Sequence, residues 1–208
     1  MSTKRVTIQG PYALEGILND DGQKAGVVIC HPHPLYGGDM NNNVVEAMEE
    51  GFLAKGVATL RFNFRGVGGS DGLYGNGAGE TEDLLAALQF LRDHVKPDAP
   101  IMLAGYSFGA WICVKASAGM EEAPTLFLVS YPFSVYESDW LRAFEGRIYL
   151  IGGDKDDISP VNDLLAVYKQ MPAIHKFLKI IPTDHFYWGK EQQITDFIRE
   201  QVTGSDNF

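Results

Sequence analysis

The chain contains only two cysteines among its 208 residues, Cys30 and Cys113, and both lie in apolar runs. Two cysteines in such surroundings argue against a disulfide framework and predict a reducing compartment, so we expect a cytoplasmic protein. No run approaches the roughly 18 apolar residues that a membrane-spanning helix needs. The N-terminus has basic residues but lacks the apolar segment of a secretory signal. We therefore expect no membrane association.

Positive charge is also scarce. The chain has 17 Lys and Arg against 27 Asp and Glu, a formal net charge of −10. Surfaces that neutralise phosphates cluster basic residues, so we expect no nucleic-acid partner. The 45% of hydrophobic residues is ample for a core, and no linker, repeat or low-complexity tract divides the chain. We expect one domain over residues 1–208, acting as a monomer or a homodimer.

Short apolar runs alternate with amphipathic segments along most of the chain. The runs predict strands at Ala25–Cys30, Val57–Phe64, Ile101–Ala104, Thr125–Ser130, Arg147–Ile151 and Lys176–Ile181. The segments between and after them predict helices at Val44–Lys55, Thr81–Val95, Phe108–Ala118, Val161–Met171 and Glu191–Val202. Thr81 is the expected N-cap of the second helix. Two earlier segments, Val6–Gln9 and Leu14–Leu18, predict an antiparallel entry hairpin. The pattern predicts an α/β fold with a mainly parallel sheet and helices on both faces.

One serine interrupts the core where a strand meets a helix. The stretch Gly105-Tyr106-Ser107-Phe108-Gly109 has the form G-x-S-x-G, the nucleophile elbow, in which a sharp turn lifts the serine hydroxyl above the sheet. Such a turn strains the backbone and needs small neighbours. A purely structural Gly-Ser-Gly turn is the alternative. Because this serine lies at the sheet edge where α/β proteins bind ligands, Ser107 is our candidate nucleophile.

A serine nucleophile needs a histidine base. His94 falls at a helix end and His175 in a turn, whereas His185 follows a predicted strand at the same sheet edge as Ser107. We expect His185 to be the base. In this type of site the acid lies between serine and histidine along the chain, and the loop 152–160 offers three acids, Asp154, Asp156 and Asp157. A calcium loop there would lack the glycine and terminal glutamate of an EF-hand.

With these motifs the chain resembles the α/β-hydrolase superfamily. Gly153, Asp156 and Pro160 match the G-x-x-D spacing and following proline that are common in its acid loop, so the resemblance favours Asp156 as the acid, with Asp157 as the alternative. The blocks HPHPLYGGDMNNNVV (31–45) and RFNFRGVGGSDG (61–72) resemble small single-domain bacterial hydrolases related to the dienelactone hydrolases.

The resemblance also implies an oxyanion hole. One donor is expected to be the Phe108 N–H, by the geometry of the elbow. The other should come from the loop after Cys30, where Pro32 and Pro34 have no N–H to give. The similarity of its Leu-Tyr-Gly setting to dienelactone hydrolases favours Leu35, with His33 as the second choice.

Two departures from the related families limit what can be carried over. Dienelactone hydrolases use a cysteine nucleophile, whereas this chain has Ser107. The loop in the block 61–72 usually begins with an acid in the superfamily but begins here with Asn63, so no charge at that position is carried over. His31 and His33 could start a zinc site, but no third ligand is evident at a suitable spacing. We expect no metal and no cofactor.

The substrate site is less clearly marked. The segment 131–146 leaves room only for a minimal lid. Candidate substrate-binding residues are His33, Tyr36, Phe133 and Phe186, within a wider set of aromatic residues, Tyr131, Tyr136, Trp140, Tyr187 and Trp188, that could equally pack beneath the loops. We expect a carboxylesterase-like serine hydrolase that cleaves a small-molecule ester or thioester through an acyl-enzyme. The alternatives are a small peptidase and a non-catalytic binding protein on the same scaffold.

Overall fold

The computed structural model describes residues 3–172 and 175–202, whose strands form one eight-stranded sheet. The strands are β1 (Thr3–Gln9), β2 (Ala13–Gln23), β3 (Gly26–Cys30), β4 (Val57–Phe62), β5 (Ile101–Tyr106), β6 (Leu126–Val129), β7 (Ile148–Gly153) and β8 (Lys176–Ile181). Their order in the sheet is β1-β2-β4-β3-β5-β6-β7-β8. The helices are α1 (Asn43–Leu53), α2 (Ala78–Arg92), α3 (Phe108–Ser117), α4 (Asp139–Arg142), α5 (Val161–Gln170) and α6 (Glu191–Gln201).

The sheet is antiparallel only at its N-terminal side. β1 pairs antiparallel with β2, and β2 pairs antiparallel with β4. All other neighbouring strands are parallel. The predicted α/β-hydrolase fold, with a mostly parallel sheet and an antiparallel entry hairpin, is confirmed. Because parallel strands end at the same edge, the loops after β3, β5, β6, β7 and β8 meet there.

Each central strand is buried on both faces. Val28 and Cys30 of β3 point into one layer of core, and Val27 and Ile29 point into the other. This alternation follows from the two-residue period of a strand. The first layer packs against α2, α3 and α5, and the second against α1 and α6. Covering both faces explains why these strands read as continuous apolar runs.

The main difference from the predicted helices is at the start of α2. Thr81 was the expected N-cap, but the helix begins one turn earlier, with Gly77 as its N-cap. The Glu80 carboxylate accepts hydrogen bonds from the Gly75 and Gly77 N–H groups at 2.7 Å each. A carboxylate that reaches back to these N–H groups replaces the side-chain cap that Thr81 was predicted to supply.

The segment between β6 and β7 carries only the four-residue helix α4. Leu141 of α4 is buried in the core, whereas Trp140 is 56% exposed. The segment is therefore short and anchored at one apolar side chain, in keeping with the predicted minimal lid. No helix in the parts of the chain that the structure describes is both long and apolar enough to cross a membrane.

Candidate active site

The turn between β5 and α3 has the geometry of a nucleophile elbow. Ser107 has φ 54° and ψ −116°, a conformation that costs a non-glycine residue about 1–3 kcal/mol. A Cβ on Gly105 would lie 2.4 Å from the carbonyl carbon of Gly109, and one on Gly109 would lie 2.4 Å from the carbonyl oxygen of Cys30. Both flanking positions therefore require glycine, because the strand and the helix approach too closely for any side chain.

The loops after β5, β7 and β8 bring Ser107, Asp156 and His185 together. His185 Nε2 lies 3.1 Å from Ser107 Oγ, and His185 Nδ1 lies 2.9 and 2.8 Å from the two carboxylate oxygens of Asp156. An ionised carboxylate can only accept, so Nδ1 carries the proton and Nε2 is free to accept the serine hydroxyl. Asp157 is exposed, and Asp154 instead accepts the Thr183 N–H at 3.0 Å. Of the three acids in the loop, Asp156 contacts the histidine.

Hydrogen bonds hold Asp156 in its ionised form although it is only 4% exposed. Burial opposes ionisation, but hydrogen bonds from His185 and Ser130 and the backbone N–H of Ser159 outweigh it, so that the pKa of Asp156 lies below its ordinary value. Asp156 Oδ1 accepts the N–H groups of Ile158 and Ser159 at 3.0 and 2.7 Å. The carboxylate is therefore fixed in position before any substrate binds.

A hydroxyl pair behind the carboxylate was not predicted from the sequence. Ser130 Oγ donates to Asp156 Oδ2 at 2.7 Å, and the hydroxyl of Tyr187 lies 2.7 Å from Ser130 Oγ. Both residues are buried and both have positive φ, 47° for Ser130 and 59° for Tyr187. Tyr187, considered above as a possible wall of the substrate site, is fully buried instead. One signal could have found Ser130: it ends a predicted strand next to that of Ser107, at the same edge of the sheet.

The two predicted oxyanion donors differ in their surroundings. Phe108 is the first residue of α3, where N–H groups have no carbonyl partner within the helix. The Leu35 N–H donates to Nδ1 of His33 at 3.2 Å within a turn of 3-10 helix at Pro34–Tyr36. To bind an oxyanion, the Leu35 N–H would have to give up its hydrogen bond to the His33 imidazole. The oxyanion hole therefore stays a prediction, with Phe108 the better-presented donor.

A cavity of about 650 Å³ opens beside the Ser107 hydroxyl. Its walls are mostly apolar and carry no Asp, Glu, Lys or Arg side chain; they consist of Pro32, His33, Tyr36, Gly37, Gly38, Asn42, Tyr106, Ser107, Phe108, Pro132, Val135, Tyr136, Ile158, His185 and Phe186. Its size falls in the usual range for small-molecule sites. The cavity favours an uncharged, apolar ligand, because burying an unpaired ionised group there would be costly.

Three of the four predicted substrate-binding residues line this cavity, and Phe133 does not. His33, Tyr36 and Phe186 contribute to its walls. The ring of Phe133 packs on Tyr131 instead, with ring centroids 4.7 Å apart, so the structure gives it no place in the cavity. The reason is that Phe133 belongs to the loop that closes the core beneath the site. Sequence reasoning missed the cavity residues Val135 and Ile158, for which no motif exists.

Asn63 has a structural role that an acid could not fill. Its Oδ1 accepts the Met40 N–H at 2.8 Å, and its Nδ2 donates to Glu15 Oε2 at 2.9 Å. The same carboxylate oxygen accepts the Gly69 N–H at 2.9 Å. An amide can bridge an N–H group and a carboxylate, whereas an aspartate would repel Glu15. The asparagine that replaces the usual acid is therefore compatible with Glu15 on the neighbouring strand β2, whereas the acid is not.

His31 and His33 do not share a ligand site. His31 is fully buried, with Nδ1 2.6 Å from the Pro32 carbonyl oxygen and Nε2 accepting the Phe64 N–H at 3.0 Å. Burial lowers its pKa to about 4. His33 instead faces the cavity, with Nε2 3.2 Å from the Tyr74 hydroxyl. Residues 3–172 and 175–202 contain no group of three or more His, Cys, Asp or Glu side chains placed to hold a metal ion.

An α/β sheet of this topology, with a serine on a strained turn and a histidine within hydrogen-bonding distance, defines an α/β hydrolase. The family model described as an alpha/beta hydrolase domain matches residues 23–201. The chain belongs to this family, and the resemblance to the α/β-hydrolase superfamily is confirmed.

Individual relatives agree with this assignment. An uncharacterized protein of Rickettsia prowazekii is 32% identical over 183 residues, which cover 84% of this chain and 77% of the relative. The structure of an alpha-beta serine hydrolase homologue from Coxiella burnetii is 33% identical, with a TM-score of 0.89 and coverage of 98% of this chain and 99% of that one. A serine hydrolase without a lid from Xanthomonas campestris is 27% identical, with a TM-score of 0.86 and coverage of 99% and 98%.

Proposed function

We propose that this chain is a carboxylesterase-like serine hydrolase that cleaves uncharged small-molecule esters or thioesters through an acyl-enzyme. The observation that carries the proposal is the chain of contacts from Ser107 Oγ through the His185 ring to Asp156. Membership of the hydrolase family supports it. The apolar cavity without charged side chains supports a neutral substrate.

In this proposal each group has one role. Ser107 Oγ attacks the carbonyl carbon while His185 Nε2 takes its proton, and the imidazolium then protonates the departing alkoxide or thiolate. Asp156 stays ionised and stabilises the imidazolium. In the second half of the reaction water attacks the acyl-enzyme with His185 as base, and Ser107 regains its proton.

Charge that develops on the carbonyl oxygen needs a fixed donor. The Phe108 N–H, at the N-terminus of α3, is the first donor, and a donor of this kind contributes roughly 2.7–4 kcal/mol to the transition state. Leu35, or His33 as the alternative, would supply the second from the loop after β3.

We further propose that the chain acts in the cytoplasm as one domain, either monomeric or as a homodimer. Cys30 and Cys113 are buried free thiols, which suits a reducing compartment.

The test is turnover of p-nitrophenyl acetate and butyrate by the purified protein and by Ser107→Ala. We expect saturable hydrolysis by the parent chain and a loss of at least a thousandfold in the variant, since removing a nucleophile leaves only binding and oxyanion effects. A p-nitroanilide with the same acyl group separates an esterase from a peptidase, because a peptidase would cleave the two at comparable rates. A folded protein that turns over neither substrate would instead be a binding module.

A further inference from the structure

A second groove lies beside the active-site cavity, between α3 and the segment that follows β6. It measures about 320 Å³, and its lining residues are Trp111, Val114, Lys115, Val135, Tyr136, Glu137 and Trp140. Val135 and Tyr136 line the active-site cavity as well. The cavity and the groove therefore share a wall, and this wall is made of apolar and aromatic side chains.

An aromatic surface runs from the nucleophile into this groove. The ring of Phe108, the residue after Ser107, lies 6.2 Å from that of Tyr136. The Tyr136 ring in turn stacks on Trp111, with centroids 4.1 Å apart and planes 8° apart. Val135, on the shared wall, is 64% exposed, so a chain that leaves the cavity can cover it on the way to the groove.

The groove differs from the cavity in having two charged side chains in its lining, Lys115 and Glu137. Lys115 places its ammonium group over the Trp111 ring, 5.0 Å from the centroid, and Glu137 is an exposed residue of the lining, so the two charges lie at the groove and not in the active-site cavity. Trp140 presents an exposed indole at the far side. Exposed apolar groups next to a binding cavity are unfavourable in water unless a ligand covers them.

We propose that this groove is a subsite for the unbranched alkyl chain of the ester. A chain attached to the scissile carbonyl would fill the cavity, pass over Val135 and lie in the groove against the exposed indole of Trp140. The inference rests on the proposed function, because the groove is a subsite only if Ser107 attacks the ester. It predicts that the enzyme prefers medium-length and long linear chains to short ones, since each buried methylene adds about fourfold to binding.

The experiment measures kcat/KM for two matched series below their critical micelle concentrations. One series is p-nitrophenyl acetate, butyrate, octanoate and decanoate, with the chain on the acyl side. The other is ethyl, butyl, octyl and decyl acetate, with the chain on the alcohol side. We expect kcat/KM to rise with length in the acyl series and to stay flat in the alcohol series; a rise in the alcohol series alone would overturn the inference.

Two charge-introducing variants test the groove itself. Trp140→Glu puts a charge in the groove, and Trp188→Glu is the matched control, because Trp188 is 72% exposed and lines neither the cavity nor the groove. In Trp140→Glu we expect at least a tenfold loss of kcat/KM for the longest ester and less than a twofold change for acetate. The control should resemble the parent chain for both.

The outcomes separate this inference from the function on which it rests. If folded protein hydrolyses no ester of any length, the proposed function fails. If acetates are hydrolysed but kcat/KM stays flat with length in the acyl series, or Trp140→Glu lowers short and long esters equally, the groove is not a chain subsite. A shift in oligomeric state in Trp140→Glu, without a change in the length profile, would mean that the groove contacts a second copy and would also overturn the inference.

Discussion

Ser130 is expected to keep the acid of the site ionised, and Ser130→Ala tests this. In the structure its hydroxyl donates to Asp156 Oδ2 at 2.7 Å and contacts the Tyr187 hydroxyl at the same distance. The substitution removes one of four donors to the carboxylate and leaves those of His185, Ile158 and Ser159 in place. The carboxylate stays attached to the histidine but is less well stabilised as an anion.

The size of the effect follows from the burial of this carboxylate. A hydrogen bond to a charged group contributes about 1.5–3 kcal/mol, and one pKa unit corresponds to about 1.36 kcal/mol. Loss of the Ser130 donor should therefore raise the pKa of Asp156, now below its ordinary value because of its hydrogen bonds, and favour the protonated acid by about tenfold to a hundredfold. Asp156 would stay ionised at pH 8 and would take up a proton more readily than in the parent chain as the pH falls. Activity at pH 8 should therefore change little, whereas the ratio of activity at pH 5 to activity at pH 8 should fall below that of the parent chain.

The assay is the pH dependence of kcat and kcat/KM for p-nitrophenyl butyrate between pH 5 and pH 8, read at the isosbestic wavelength of the product. Tyr187→Phe is the matched control, because it removes the outer hydroxyl and leaves the bond from Ser130 to Asp156. We expect it to change the profile less than Ser130→Ala does. A Ser130→Ala variant with the same ratio of activities at pH 5 and pH 8 as the parent chain would refute the reasoning.

Three further predictions concern stability and the turn at the nucleophile. Folded His31 stays neutral down to about pH 4, whereas an unfolded histidine takes up a proton near pH 6.5. His31 should therefore lower the free energy of unfolding by about 3 kcal/mol as the pH drops from 7 to 4. Urea titrations of His31→Asn should show a pH-dependent loss that is smaller by this amount. Asn63→Asp should lower the free energy of unfolding at pH 7 by about 1–3 kcal/mol, because the new carboxylate faces Glu15. In a double-mutant cycle, adding Glu15→Gln should restore most of the lost stability, and additive losses would contradict this. Gly109→Ala should reduce the melting temperature and the activity together, because its Cβ would lie 2.4 Å from the carbonyl oxygen of Cys30; an unchanged melting temperature would count against the close approach.

The fold was predictable because the central strands are buried on both faces and therefore appear as uninterrupted apolar runs. The pattern at 125–130 predicted a strand that the structure has as Leu126–Val129, and the run at 25–30 corresponds to Gly26–Cys30. The predicted start of α2 was wrong because Glu80 reaches back and accepts the Gly75 and Gly77 N–H groups, which lets the helix begin before Thr81. Such a cap depends on a contact that local propensity does not show.

The candidate site was predictable only where chemistry fixes the residue type and the chain order. Ser107 and His185 follow from a sharp turn and from the order of residues at one sheet edge. The choice of Asp156 required the family resemblance, because Asp154 and Asp157 lie within two residues of it. The contact of Ser130 with Asp156 depends on its backbone φ of 47° and on the hydroxyl of Tyr187, 57 residues further along the chain. Neither feature can be recognised from the sequence around Ser130. The same holds for the apolar walls of the cavity, which any hydrophobic residue can build.

The measurement that tests the central claim most directly is covalent labelling by a fluorophosphonate, followed by intact mass and peptide mapping. If Ser107 is activated by His185, one adduct should form per chain, on the peptide that contains Ser107, and the rate should fall by orders of magnitude in His185→Gln although the serine is still present. Ser107→Ala should not be labelled. Folded protein that stays unlabelled, or a His185→Gln variant that is labelled as fast as the parent chain, would contradict the account.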